Sequence, residues 1–262
     1  MYIDLSGKKA MVCGSTQGMG KAIALGLANS GASITLVARN ENSLKQVLSV
    51  LKTNFRQIHQ YICADFSDPQ SLNIKVNSYL KENDPVDILI NNTGGPPGGA
   101  VIDADTEEFS QAFAKHLICN QFLVQALVPG MKKKNCGRII NIISTSVKQP
   151  IPGLGVSNTI RGAVASWAKT LANELGPFGI TVNNILPGFT KTKRLEALFQ
   201  AQANKTGKNV AEIEQEMIKL IPLSRFAEPS EIADAVVFLS SPAAGYITGV
   251  NLPVDGGRIP CL

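Results

Sequence analysis

The 262-residue chain predicts a single-domain α/β fold, a doubly wound parallel sheet with helices on both faces. Two observations carry this expectation. Short β-rich runs alternate with longer amphipathic segments, the pattern of parallel strands joined by crossover helices. The runs are also nearly continuous in apolar residues, as in Ile34-Thr35-Leu36-Val37, Ile88-Leu89-Ile90 and Ile139-Ile140-Asn141-Ile142-Ile143, which is expected where helices cover both sheet faces. A chain of this length buries enough surface to need no metal or disulfide staple.

Taken in order, the first strand is read at Lys9 to Cys13, and the glycines after it open a helix at about 19–30. A β-branched run at Ser33 to Ala38 leads into a helical pattern at 41–54. The third strand, Gln57 to Ala64, precedes a helix at 69–83, and the fourth, Val86 to Asn91, ends in the loop Gly94-Gly95-Pro96-Pro97-Gly98-Gly99. A long helical pattern at 105–134 follows, then a strand at Gly137 to Ser144, a helix at 156–176, and a strand at Ile180 to Leu186. A helix at 228–240 and a strand at Asn251 to Val254 close the chain. Only Thr190 to Glu228 breaks the alternation, with helix-like pieces, no strand and a polar middle. Such an insertion at the carboxyl edge of a sheet reads as a lid over 190–228, or else as a helical hairpin that covers hydrophobic surface.

The net charge of +5 comes from 25 basic and 20 acidic residues with no run longer than Lys132-Lys133-Lys134, which argues against nucleic acid as a partner. Five scattered cysteines without a C-x-x-C pair fit a reducing compartment. The start of the chain lacks an apolar signal core, and no stretch approaches the ~18 apolar residues of a membrane span. The expectation is a cytoplasmic protein with no membrane partner. With His59 and His116 far apart and no H-E-x-x-H, no metal site is expected, and there is no G-x-S-x-G elbow.

Chemistry begins at Gly14-Ser15-Thr16-Gln17-Gly18-Met19-Gly20. Placed between a strand and a helix, glycines let the backbone turn sharply and approach a pyrophosphate, whose charge meets the free N–H groups of the helix N-terminus. The spacing is G-x-x-x-G-x-G rather than the standard G-x-G-x-x-G, and it is the strand–turn–helix context that leads to the expectation of a dinucleotide there. The second strand ends Arg39-Asn40 with no acid until Glu41. An acid at that point would bind the 2′-hydroxyl of NAD, whereas Arg accommodates the 2′-phosphate of NADP, so NADP(H) is favoured over NAD. The alternative is a solvated Arg39 at a strand end.

With these motifs, and with Asp65, Asn91-Asn92-Thr93-Gly94, Pro187-Gly188, Tyr246-Ile247-Thr248-Gly249 and Val254-Asp255-Gly256-Gly257, the chain resembles the short-chain dehydrogenase/reductase family over essentially its whole length, with a flavour of the 3-oxoacyl-acyl-carrier-protein reductases. The resemblance implies a Rossmann-like oxidoreductase that reduces a carbonyl or oxidises an alcohol. It implies that Asp65 meets the adenine, that Phe66 and Asn91 to Gly94 line the cofactor, and that Pro187, Gly188, Thr190 and Thr192 embrace its nicotinamide end. It further implies a homotetramer or dimer, formed through the helices at 105–134 and 156–176 and the C-terminal segment.

The family's catalytic Asn, Ser, Tyr and Lys are only partly matched. Ser144 matches the Ser, but Ser157 stands at the Tyr position, Arg161 at the Lys position and His116 at the Asn position. No tyrosine is followed four residues later by lysine; the residues there are Ser6, Asp65, Asn83 and Val250. Ser144 can still hydrogen-bond a carbonyl, Ser157 can act through a water, and Arg161, one turn along the same helix face, can hold ribose hydroxyls and lend charge. Two substitute proton donors are Lys148, on the loop after Ser144, and His116, whose imidazole suits acid/base work; a solvated lysine and a core histidine are the plain alternatives. Lys191, Lys193 and Arg194 at the lid entrance point to an anionic or carrier-bound substrate, or to a solvated face. Two readings follow, an NADP(H)-dependent carbonyl reductase with an atypical proton donor, and a non-catalytic NADP(H)-binding sensor or scaffold on the same fold.

Overall fold

The computed structural model describes residues 3–261; Met1, Tyr2 and Leu262 lie outside the described residues. Among the described residues, seven strands form one parallel sheet in the order β3-β2-β1-β4-β5-β6-β7. They are β1 (Lys9–Cys13), β2 (Ser33–Ala38), β3 (Gln60–Cys63), β4 (Ile88–Asn91), β5 (Gly137–Ile142), β6 (Ile180–Pro187) and β7 (Asn251–Val254). From β1 the chain winds outward to β3, then returns to β4 and winds the other way. The resulting switch point between β1 and β4 opens a crevice at the carboxyl ends of the strands, where open α/β sheets bind ligands.

The period of two along each strand builds two cores. On one face Val12, Leu36, Ile90, Ile140 and Ile185 pack against α1 (Gly18–Asn29), α2 (Glu41–Leu48) and α9 (Pro229–Ser240) through Ile23, Leu27, Leu44, Ile232 and Val236. On the other, Met11, Val37, Leu89, Ile139 and Val182 meet Leu72, Leu123 and Leu171 of α3 (Pro69–Glu82), α5 (Cys119–Lys133) and α6 (Gly155–Leu175).

Several expected boundaries move. The third strand is four residues long, because Gln57 serves instead as a loop anchor, its side chain donating to the Ala28 carbonyl at 2.7 Å. The helix expected to reach residue 54 stops at Leu48. The pattern at 105–134 is interrupted: α4 (Thr106–Phe113) passes through a π-helical turn at Ala114–Ile118 before α5 resumes.

The segment 190–228 holds α7 (Lys193–Thr206) and α8 (Val210–Ile218). It leaves and returns at one place, pinned where Lys191 N–H donates to Ala227 O and Ala227 N–H to Phe189 O, both at 2.9 Å. Thr192 and Asn209 cap the two helices, Asn209 in a capping box with Glu212. A small core of its own, centred on Phe199, Ile213 and Phe226, holds the hairpin together. No helix among the described residues is long and apolar enough to cross a membrane.

Candidate functional site

The turn after β1 is built by contacts that only glycine permits. Gly14 has φ +58°, and a Cβ there would stand 2.7 Å from both the Nδ2 and the O of Asn92. A Cβ on Gly20 would come within 2.1 Å of the Gly14 carbonyl oxygen. Asn92 clamps the turn from the end of β4, donating to the carbonyls of Cys13 (3.2 Å) and Gly14 (3.3 Å). At the start of α1 the Gln17 side chain makes no capping bond, so the first-turn N–H groups face the cleft without that competitor. Positive dipole, free donors and a cradle that a single Cβ would fill together fit a pyrophosphate.

From this turn a cleft of about 890 Å³ runs along the carboxyl edge of the sheet. Thr16, Gln17, Gly18 and Met19 line its middle, Arg39, Asp65 and Phe66 its β2–β3 end, and Asn92, Thr93 and Gly94 its floor at β4. Lys21 and Lys115 add two cations to the lining that the residue pattern did not single out, Lys115 close enough to Asp65 to act on it together with Arg39. Lys21 directly follows the last glycine and was there to be found; Lys115 faces inward on the π-helical turn, which no sequence period announces. The Asp65 carboxyl is held below its usual range, first by the Ser67 N–H at 2.9 Å and further by the charges of Arg39 and Lys115.

The other half of the cleft contains Ser144, Ser157 and Arg161 together with Thr192 and Arg194. Ser144 Oγ accepts from the Ser146 N–H at 3.1 Å, which leaves its own O–H to donate. Arg161 is 8% exposed, and its Nη1 donates to the Ile142 carbonyl at 3.2 Å. Burial, with Arg194 nearby, lowers its pKa to about 10, so it stays charged at neutral pH. From α7, Arg194 Nη2 reaches across to donate to the Pro96 carbonyl at 2.7 Å, tying the hairpin to the glycine-proline loop.

His116 and Lys148 do not line this cleft. His116 is 2% exposed on the π-helical turn, and burial, then the charges of Arg161 and Lys115, push its pKa down to about 2. Its imidazole is therefore neutral across the physiological range, which removes an imidazolium proton donor. Lys148 caps the turn after Ser144 and is half-buried away from the cleft wall.

Six further expected residues also lie off the lining. Ser15 is fully buried, with Oγ 3.4 Å from the Val37 carbonyl it donates to, and Asn40 caps α2 through the Ser43 N–H. Pro187 ends β6, Gly188 packs where a Cβ would meet Asp255 Cα at 2.7 Å, and Thr190 turns its hydroxyl back to the Gly188 carbonyl. Asn91 begins a ladder across the sheet: Asn91 Nδ2 donates to Asn141, Asn141 to Asn184 and Asn184 to Asn251, each at 2.8 Å. These residues shape the walls from behind. Among the described residues no group of three or more His, Cys, Asp or Glu side chains is placed to hold a metal.

A switch-point crevice, glycine cradle and cation-lined end define a dinucleotide-binding protein. The chain matches the family described as enoyl-(acyl carrier protein) reductase over residues 14–258. It is 33% identical over 255 residues to the 3-oxoacyl-acyl-carrier-protein reductase FabG of Vibrio cholerae, covering 97% of this chain and 98% of that one. Among solved structures it is similar to the L-sorbose reductase of Gluconobacter frateurii complexed with NADPH and L-sorbose (TM-score 0.93, 32% identity, 100% of each chain). It is similar also to YwfH, an NADPH-dependent reductase involved in bacilysin biosynthesis (TM-score 0.92, 27% identity, 98% of this chain and 100% of that one). The protein belongs to the short-chain dehydrogenase/reductase family.

Proposed function

We propose that the protein is an NADPH-dependent reductase of a small carbonyl compound, 3-oxoacyl or related, with an atypical proton donor. The observation that carries this is one continuous cleft joining the glycine cradle to Ser144, with Ser157 and Arg161 beside it. Gly14 to Gly20 hold the pyrophosphate, Asp65 and Phe66 meet the adenine, and Asn92, Thr93, Gly94 and Thr192 follow the nicotinamide half. Arg39, with Lys115 at the same end, favours a 2′-phosphate, hence NADP(H) over NAD. When bound, the nicotinamide supplies a two-electron reductant.

Ser144 donates its hydroxyl to the substrate carbonyl oxygen. Arg161 sets a fixed positive charge in the same half of the cleft as Ser144. The proton arrives through a water held by Ser157, since a serine hydroxyl is too weak an acid to serve alone. The hairpin at 190–228 acts as the lid, tied down by the Arg194–Pro96 contact. The exposed Phe113 beside Phe109, Ile118 and Ile160 supports assembly as a dimer or tetramer through α4 to α6, and the five free cysteines suit a cytoplasmic setting.

A second reading, a non-catalytic NADP(H) sensor or scaffold, is favoured by one observation. Among the described residues no tyrosine or histidine lines the cleft, so a phenol or imidazole general acid is missing. NADPH oxidation against a panel of carbonyl compounds, run beside NADPH and NADH titrations, separates the two. Turnover that Ser144→Ala reduces at least about a hundredfold supports the reductase; NADPH binding with no turnover across the panel supports the sensor.

A further inference from the structure

We propose that Arg161 and Arg194 form a carboxylate-recognition pair, so that the substrate is an oxo acid whose carboxylate they grip while its carbonyl faces Ser144. The inference rests on the reductase reading and names its substrate class.

Arg161 is a buried guanidinium that lines the cleft and spends one N–H on a backbone carbonyl. No carboxylate pairs with it among the described residues. A buried charge without a partner is costly, and a second cation beside it raises that cost. Arg194 is that second cation. One of its nitrogens is fixed on Pro96 O, and Arg161 Nη2 fronts the same loop, 3.8 Å from where a Cβ on Gly95 would stand. The cleft's own acids do not offset this. Asp65 lies at the opposite end, engaged with Ser67, and Glu196 of α7 makes no ion pair among the described residues. Lys191 is already satisfied by Glu228.

Two forked donors that line the same half of the cleft and front one loop, Arg161 buried and Arg194 exposed, suit the planar, bidentate geometry of a carboxylate. The cofactor is the other source of anionic oxygen, but its pyrophosphate has the glycine cradle and its 2′-phosphate the Arg39 end.

The test uses malonate as probe and malonamide as its neutral counterpart, titrated calorimetrically into the protein with and without saturating NADPH. Malonate binds with NADPH present and malonamide does not. Arg194→Gln weakens malonate roughly tenfold or more while NADPH affinity is unchanged; Arg194→Lys, which keeps the charge and loses the fork, falls between. Three results overturn the inference: no malonate binding by a protein that binds NADPH, equal binding by Arg194→Gln, or competition between malonate and NADPH, which assigns the arginines to cofactor phosphate. Failure of the wild-type protein to bind NADPH overturns the reductase reading itself, and is distinguished by the NADPH titration alone.

Discussion

Gly20→Ala tests the cofactor turn by setting two effects of opposite sign against each other. Gly20 is the third residue of α1, where replacing glycine by alanine ordinarily gains about 1 kcal/mol of helix propensity. Here the added methyl meets the Gly14 carbonyl oxygen at 2.1 Å and Asn92 Nδ2 at 2.7 Å, against an ordinary contact of roughly 3.5 Å. Both neighbours are held, the carbonyl by backbone and the amide by its two hydrogen bonds, so the turn itself must shift by more than an ångström. Overpacking of this kind costs about 3 kcal/mol, which leaves a net loss near 2 kcal/mol and lowers Tm by roughly 4–8 °C. Because the displaced atoms form the cradle, NADPH affinity falls roughly tenfold or more. Gly162→Ala is the internal control, since its Cβ meets nothing within 4 Å in the middle of α6. It should raise Tm by about 1–4 °C. Thermal unfolding and NADPH fluorescence titration read both variants. A Gly20→Ala protein as stable and as tight for NADPH as wild type would refute the turn geometry; a loss at Gly162 would mean that something outside this chain packs on α6.

Other consequences follow from the same structure. Arg39→Ala should lower NADPH affinity roughly 10–100-fold and leave NADH nearly unchanged, as measured by parallel titrations; an equal loss for both removes the 2′-phosphate assignment. His116 has its folded pKa depressed from 6.5 to about 2, so below pH 6.5 the unfolded chain binds a proton that the folded one refuses. Stability from this group is present above pH 6.5 and drains as pH falls, by about 2 kcal/mol between pH 7 and 5; His116→Gln should flatten that part of the denaturation-versus-pH curve. Asn141→Ala strands the Asn91 amide donor and the Asn184 acceptor inside the sheet and should cost about 2–5 kcal/mol in urea unfolding.

The alternation of strands and helices along the chain, and with it a parallel sheet covered on both faces, was legible because apolar period follows directly from burial. The strand ends were less so, since hydrophobicity does not say where pairing stops: Gln57 looks strand-like and is a loop anchor. At the site, the glycines and Arg39 were singled out because a close-approaching turn and a 2′-phosphate each demand a residue type, and Ser144 through the family resemblance; all of them line the cleft. The inward turn of Lys115 could not be read, because an i→i+5 step leaves no mark on composition. Nor could the meeting of Arg161 with Arg194, whose approach depends on how the 190–228 hairpin folds back over the loop at Pro96.

The asparagine ladder has a bearing on precision. Its registers pair Asn91 with Asn141, Asn141 with Asn184 and Asn184 with Asn251, so one amide row indexes four strands at once. A one-residue slip of β5 would turn Asn141 to the opposite face and sever both its bonds. A slip of two keeps the face but sets Asn91 against Ile139 or Ile143, and moves Ser144 about 7 Å along the sheet. Asn91 immediately precedes Asn92, the clamp of the glycine turn, and Asn141 lies three residues before Ser144. The spacing between the turn and the serine is thus counted in strand steps from a single amide pair, and the sheet has no inexpensive way to miscount.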